Sequence, residues 1–495
     1  MSAASPMAED KRISAPLRIL QKCFSFPVMQ ACLLIPLAWL TSRARVDDSD
    51  LWWHLKMGQV ICATHTIPLV DTFSYTAGHH SLVPQEWLAE VAIFSAWKFA
   101  GLPGLMLWLC LFTSLLLIAG YIFCTLYSGN VKVAFFGAVL IWLFSTVAFS
   151  IRPQVIAYIL LIVELTLIHL GRTRNPRWFF GLPLVFALWI NCHGSFMLGL
   201  ILAGVFLFTS FFSFQFGSLL SRAWNPQCRR MLIWSILLSL AALFANPGGW
   251  HQILYPFDTM LHMHILLGAV EEWAPLNMTV PRGIVLLLVL LAIFLQVLVR
   301  RSELFFDELL LLAIGTWMAV SHQRMLIVFG ILAVPVLSRQ FAASWDGYDA
   351  KKDRIWPNAM MIGICLITLY LAFPSRQFLE SQVEVQSPVK AVQFIQSSHL
   401  SGPMLNDYSF GGYLIWAAPE HPVFIDGRTD LYEWSGILGE YGSWAMMQGD
   451  PRLLLEKYRI HFCLLDRRST MAQVLPLLPG WKQVYADSQA VIFAR

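Results

Sequence analysis

A succession of apolar runs, at roughly 24–40, 103–127, 131–150, 153–171, 178–192, 194–214, 231–246, 283–299, 304–320, 325–341 and 356–373, constrains this chain more than any other feature. Apolar stretches of about 17 residues or more with few charges are long enough to cross a bilayer as helices. Of the 495 residues, 57% are hydrophobic and 13% charged, about half the charged share of a soluble domain, so a single water-soluble core is excluded. The fold class predicted is an α-helical polytopic membrane protein of about 11 transmembrane helices. The nine cysteines contain no Cys-x-x-Cys pair and read as small hydrophobes rather than a zinc site or disulfide framework. A net charge of +4 without a long basic run argues against nucleic acid as a partner.

Loop charge predicts the orientation, because loops rich in Lys and Arg stay in the cytoplasm. Lys11, Arg12, Arg18 and Lys22 precede the first run, which reads as an uncleaved first helix. Basic loops follow at Arg172/Arg174/Arg177, Arg222/Arg229/Arg230, Arg300/Arg301 and Arg339/Lys351/Lys352/Arg354. They alternate as expected if the N-terminus is cytoplasmic and segment 86–100, with Glu90 and Lys98, is an interfacial amphipathic helix. Arg43 and Arg45 stand against this assignment. Residues 1–374 are then the membrane domain, with a first outer loop at 44–102 and a second at 247–282. Residues 375–495 form an extracytoplasmic α/β domain: 22 of its 121 residues are charged, against 42 of the preceding 374. Helical patterns at 389–398, 436–447 and 450–458 alternate there with strand-like runs at 403–406, 423–426, 461–466, 481–486 and 490–494.

Under this topology twelve of the thirteen histidines, all but His169, fall on the outer side. The densest polar motif is Asp47-Asp48-Ser49-Asp50-Leu51-Trp52-Trp53-His54, directly after the first run. Asp48 and Asp50 can jointly hold a divalent metal such as Mg2+ or Mn2+, or one can serve as general base while the other orients it. The plainer reading is a helix cap with two interfacial tryptophans. Glu86, before the 86–100 helix, reads equally as cap or substrate contact. At the outer ends of later helices stand Arg152-Pro153-Gln154, Asn191-Cys192-His193-Gly194, Asn246-Pro247-Gly248-Gly249-Trp250-His251, Glu271-Glu272-Trp273 and His322-Gln323-Arg324. Arg152 and Arg324 are candidate clamps for a lipid phosphate, or interfacial arginines reaching to headgroups. In the tail, Asp426-Gly427-Arg428 reads as a salt-bridged turn or a site, and Gly411-Gly412 lacks any nucleotide-binding spacing. Glu164, Asp307 and Glu308 lie within apolar runs with no evident partner.

These motifs, together with Ile67-Pro68-x-x-Asp71, Glu86-Trp87-Leu-Ala-Glu90, Asn246-Pro247 and Gly411-Gly412-Tyr413, resemble a set of bacterial polytopic proteins placed with the integral-membrane C-type glycosyltransferases. The resemblance runs over nearly the whole chain. It implies acidic catalytic residues in the first outer loop, here Asp48 and Asp50, and transfer of a sugar from a polyprenyl phosphate on the extracytoplasmic face of the inner membrane. The implied partners are the polyprenyl-phosphate-linked sugar, the lipid bilayer and an outer acceptor, whether glycan, lipid or protein. Some relatives need a divalent metal and others do not. Candidate substrate-binding residues are His54, Asp71, Glu86, Arg152, His193, His251, Glu272, Trp273, His322, Arg324, Asp426 and Arg428. The tail lacks a Trp-Trp-Asp-type peptide-acceptor signature, which disfavours protein N-glycosylation. Two rival expectations are a polytopic transporter and a non-catalytic membrane subunit that binds a partner through its outer domain.

Overall fold

The computed structural model describes residues 15–43, 46, 48–78, 80–262 and 273–495. Each of the eleven apolar runs contains helix, but the helices differ in length. Among the described residues four helices are long and apolar enough to cross a membrane: Leu102–Ser128, Gln154–Thr173, Pro281–Val299 and Gln323–Ser344. A fifth is counted if Ile355–Leu371 and Arg376–Gln386, bent by 58°, form one broken span. The others, among them Phe26–Ser42, Val131–Ser145 and Phe196–Thr209, hold 17, 15 and 14 residues. At 1.5 Å per residue such helices rise only about 21–26 Å, less than the roughly 30 Å hydrocarbon core. Of the about eleven spans expected, four or five helices among the described residues are clear full-length spans, packed among shorter apolar ones.

Local chemistry sets these breaks. Leu102–Ser128 ends where Gly129 adopts the left-handed conformation, and the Asn130 side chain accepts from the Lys132 and Val133 N–H groups to start the next helix. Pro153 ends an irregular turn and opens Gln154–Thr173. The bundle interior is apolar, built from residues such as Leu34, Phe144, Phe186, Trp189, Leu232 and Phe329. Its outside is apolar too: only 28% of Pro281–Val299 is buried, and Leu288, Phe294 and Leu298 stay 55–62% exposed. A soluble surface does not present such a face; lipid covers it.

Two carboxylates that lacked partners in the sequence have them in space. Both Glu308 oxygens take hydrogen bonds from Arg339 at 2.6 and 2.7 Å, with Tyr127 adding one at 2.9 Å, and Asp307 pairs with Arg172 at 2.7 Å. Glu164 is the exception, fully buried with neither oxygen bonded.

The C-terminal residues form a four-stranded sheet in the order Met404–Asn406, Phe462–Asp466, Ala490–Ala494, Lys482–Ala486, parallel across the first pair and antiparallel across the others. The run at 423–426, expected as a fifth strand, is not one. Val423 instead makes a bridge to Ser74 of the first loop, and the Phe424 N–H donates to the Asn406 side chain. The loop enters this region elsewhere as well: Ala77 sits in its core, the Tyr75 hydroxyl donates to Met404 and Thr76 to Phe424. First loop and C-terminal sheet are thus packed together over one end of the bundle.

Candidate active site

The helix Leu51–Thr64 begins at Asp50, yet Asp50 makes no side-chain cap; the Asp48 carboxylate accepts the Asp50 N–H at 3.0 Å instead. Both carboxylates converge on Arg152, which binds Asp48 through Nε and through Nη2 at 2.8 Å and reaches Asp50 at 3.0 Å. Burial works to raise the Asp48 pKa, and the charge and hydrogen bonds of Arg152 outweigh it, holding the carboxyl below its usual range. The C-terminal region closes tightly over this pair. A Cβ at Gly412 would collide with the Ser49 carbonyl, and one at Gly427 with an Asp50 oxygen. Both glycines are places of close backbone approach. Beside Asp48 lies a cavity of about 320 Å³ whose far wall carries Ser409, Phe410, Asp466 and Arg468.

A second cluster gathers around His54 of the same helix. His54 Nδ1 lies 3.2 Å from Glu90 and 4.0 Å from Glu86, and His193 Nε2 is 3.6 Å from Glu86. Glu86 begins the helix Trp87–Ala100 without capping it, so its side chain is free to turn toward the histidines. Glu86 and Glu90 share one face because they are four residues apart. Gly58 lets the two helices touch, since a Cβ there would meet the Glu90 carbonyl and come within 2.7 Å of Phe94. Asn191 holds the start of the second helix, accepting from the Trp87 indole at 2.6 Å while donating to the Ala187 and Ala245 carbonyls. Burial pushes Glu86 up to about 8, with Asp430 and Asp50 adding to it, and raises Glu90 well above the carboxyl range with the help of Glu86. Burial likewise drives His54 and His193 down to about 3. Burial thus disfavours the charged forms in this cluster, whereas Arg152 favours the ionised form of Asp48. Glu86 and Glu90 line a second cavity of about 140 Å³, closed on the far side by Arg428, Asp430 and Trp434.

Other candidates fall into distinct roles. Arg428, 5% exposed, binds Asp71 at 2.5 Å and Asp426 at 2.7 Å, and Tyr432 donates to Asp426. These charges satisfy one another and tie the first loop to the C-terminal region. Arg324 stacks on Trp273 at 4.7 Å and donates to Gln154, while His322 meets the Trp273 carbonyl at 2.8 Å. His251 is exposed and outside both cavities; from the same helix Tyr255 reaches in to Asp430 at 2.5 Å. Glu272, with Glu271, Asp47, Arg45, His79, Lys11 and Arg12, lies outside the described residues. The sequence reading missed Glu90 as a site residue, although its spacing from Glu86 was in view, and Asp430, two residues beyond Asp426-Gly427-Arg428; it also missed Tyr255, Asp466 and Arg468, for which no local pattern stood out.

No protein-family model matches the sequence, and no curated protein does. Solved structures do. The Archaeoglobus fulgidus oligosaccharyltransferase tethered to an acceptor peptide with the NVT sequon superposes with a TM-score of 0.53 at 11% identity, over 88% of this chain and 68% of its own. The same organism's AglB in complex with an inhibitory peptide and a dolichol-phosphate gives 0.52 at 12% identity, over 88% and 69%. ArnT from Cupriavidus metallidurans bound to undecaprenyl phosphate gives 0.52 at 12% identity, over 97% and 98%. At such identities the likeness is one of fold alone: the chain folds like ArnT and the AglB oligosaccharyltransferase.

Proposed function

We propose that this protein is a membrane glycosyltransferase that moves a sugar from a polyprenyl-phosphate donor to an acceptor hydroxyl on the extracytoplasmic face of the membrane. The observation that carries the reading is the Asp48–Arg152–Asp50 group, whose Asp48 lies on the wall of the 320 Å³ cavity where the first loop and the C-terminal region meet. Two neighbours of the same fold hold dolichol-phosphate and undecaprenyl phosphate, which supports the donor class.

In this scheme the acceptor hydroxyl enters beside Asp48. Its oxygen attacks the anomeric carbon, the bond from that carbon to the phosphate oxygen breaks, and the electron pair leaves with the lipid phosphate. The hydroxyl proton passes to Asp48. A carboxylate held below its usual pKa is a weak base, so it takes the proton late, as the new glycosidic bond forms. Arg152 balances the charge of Asp48 and Asp50, and Arg324, braced on Trp273, is the candidate donor to the departing phosphate. Asp48 and Asp50 do not fit a divalent metal while both grip a guanidinium, and no step here runs through one.

The test is transfer from a labelled polyprenyl-phosphate sugar in lipid nanodiscs. Asp48→Asn is expected to lower turnover by about 10²–10⁴-fold in protein that remains folded in the nanodisc. Unchanged turnover would remove Asp48 as base, and the absence of any polyprenyl phosphate among lipids co-purifying with the wild type would count against the donor.

A further inference from the structure

We propose that His54, Glu86 and Glu90 form a binding site for a first-row transition-metal dication, separate from the Asp48–Asp50 pair. One ligand atom from each lies within 4.8 Å of the others, with Nδ1 of His54 at 3.2 Å from Glu90 and 4.0 Å from Glu86. Ligands at about 2.1 Å from a tetrahedral zinc stand roughly 3.4 Å apart, so glutamate torsions need close the set only by on the order of 1 Å.

Charge supports the assignment. The other ion-paired acidic groups inside this molecule carry an arginine: Asp48 and Asp50 have Arg152, Asp71 and Asp426 have Arg428, Asp307 has Arg172 and Glu308 has Arg339. Among the described residues, no lysine or arginine stands within ion-pair distance of Glu86 or Glu90, whereas histidines do. The Glu90 side chain is 6% exposed, its second oxygen accepts no hydrogen bond from the described residues, and the residue lines the 140 Å³ cavity. The same cavity is bordered by Trp53, whose indole N–H is buried without an acceptor and suits an oxygen ligand completing the coordination. The helix contact at Gly58 fixes both helices, so the donors are preorganised. One imidazole and two carboxylates favour Zn2+, Mn2+ or Co2+ over Mg2+ and Ca2+, which prefer all-oxygen sets.

The experiment reads binding rather than turnover, so its outcome is independent of the transfer scheme. Full-length protein in nanodiscs, stripped with chelator, is titrated with Co2+ and followed by visible absorption. Wild type is expected to bind one equivalent, and Asp48→Asn/Asp50→Asn to bind it equally well. Glu86→Gln/Glu90→Gln is expected to lose more than about 100-fold in affinity, beyond the 10–100-fold that loss of a supporting residue costs. If that double variant does not fold, His54→Gln carries the same expectation. Absence of a Co2+ spectrum in the wild type, its survival when the glutamates or His54 are replaced, or its loss on replacing the aspartates alone would each overturn the site.

Discussion

At the scale of single residues, Arg428 shows how burial turns a surface motif into a structural tie. Asp426-Gly427-Arg428 was readable as a salt-bridged turn, because the pair is local; that Asp71, 357 positions away, completes it was not. Removing one member of a buried ion pair strands the other charges, at a cost of about 3–5 kcal/mol. Arg428→Met should therefore lower the melting temperature of the detergent-purified protein far more than Arg452→Met, whose partner Asp450 is on the surface. Burial raises the Asp71 pKa, but Arg428, with Ser74, overrides it and holds the carboxyl below its usual 3.8. The stability this contributes is complete above that value and is lost as pH falls through the lowered one. Asp71→Asn should accordingly melt below wild type at pH 7, with the gap narrowing as the pH is taken below about 4. A gap that stays constant down to acid pH would refute the linkage.

At the scale of elements, the pair Leu51–Thr64 and Trp87–Ala100 governs the site. The sequence pattern supports both helices. Nothing in either pattern says that they cross at Gly58, and it is this crossing that puts His54 against Glu86 and Glu90. Gly58→Ala forces the helices apart against backbone, for a cost of about 1–3 kcal/mol seen as a lower melting temperature. The same change should weaken Co2+ binding by tenfold or more; full-strength binding in Gly58→Ala would show that the helix contact does not preorganise the donors. The short helices teach a related point. A hydropathy run marks helix, but Gly129 and Asn130, or the bend between Leu371 and Arg376, decide where each one stops.

For the whole molecule, the expectation was that the first-loop aspartates, the later helix mouths and the terminal region share one compartment, and the structure packs them together at one end of the bundle. The basic residues Arg339, Lys351 and Lys352 should then face the opposite side. In a cysteine-free background, an impermeant thiol reagent added to intact cells is predicted to label His399→Cys, and Lys351→Cys only after permeabilisation; the reverse order would invert the orientation. The sequence by itself determined the membrane class, the α/β character of the tail and the residue types gathered near the first loop, because hydropathy, periodicity and motif are properties of neighbours along the chain. Only the tertiary structure decided which acid meets arginine and which meets histidine. Those partners arrive from helices tens to hundreds of residues apart, and their charge balance exists only once packing has excluded water.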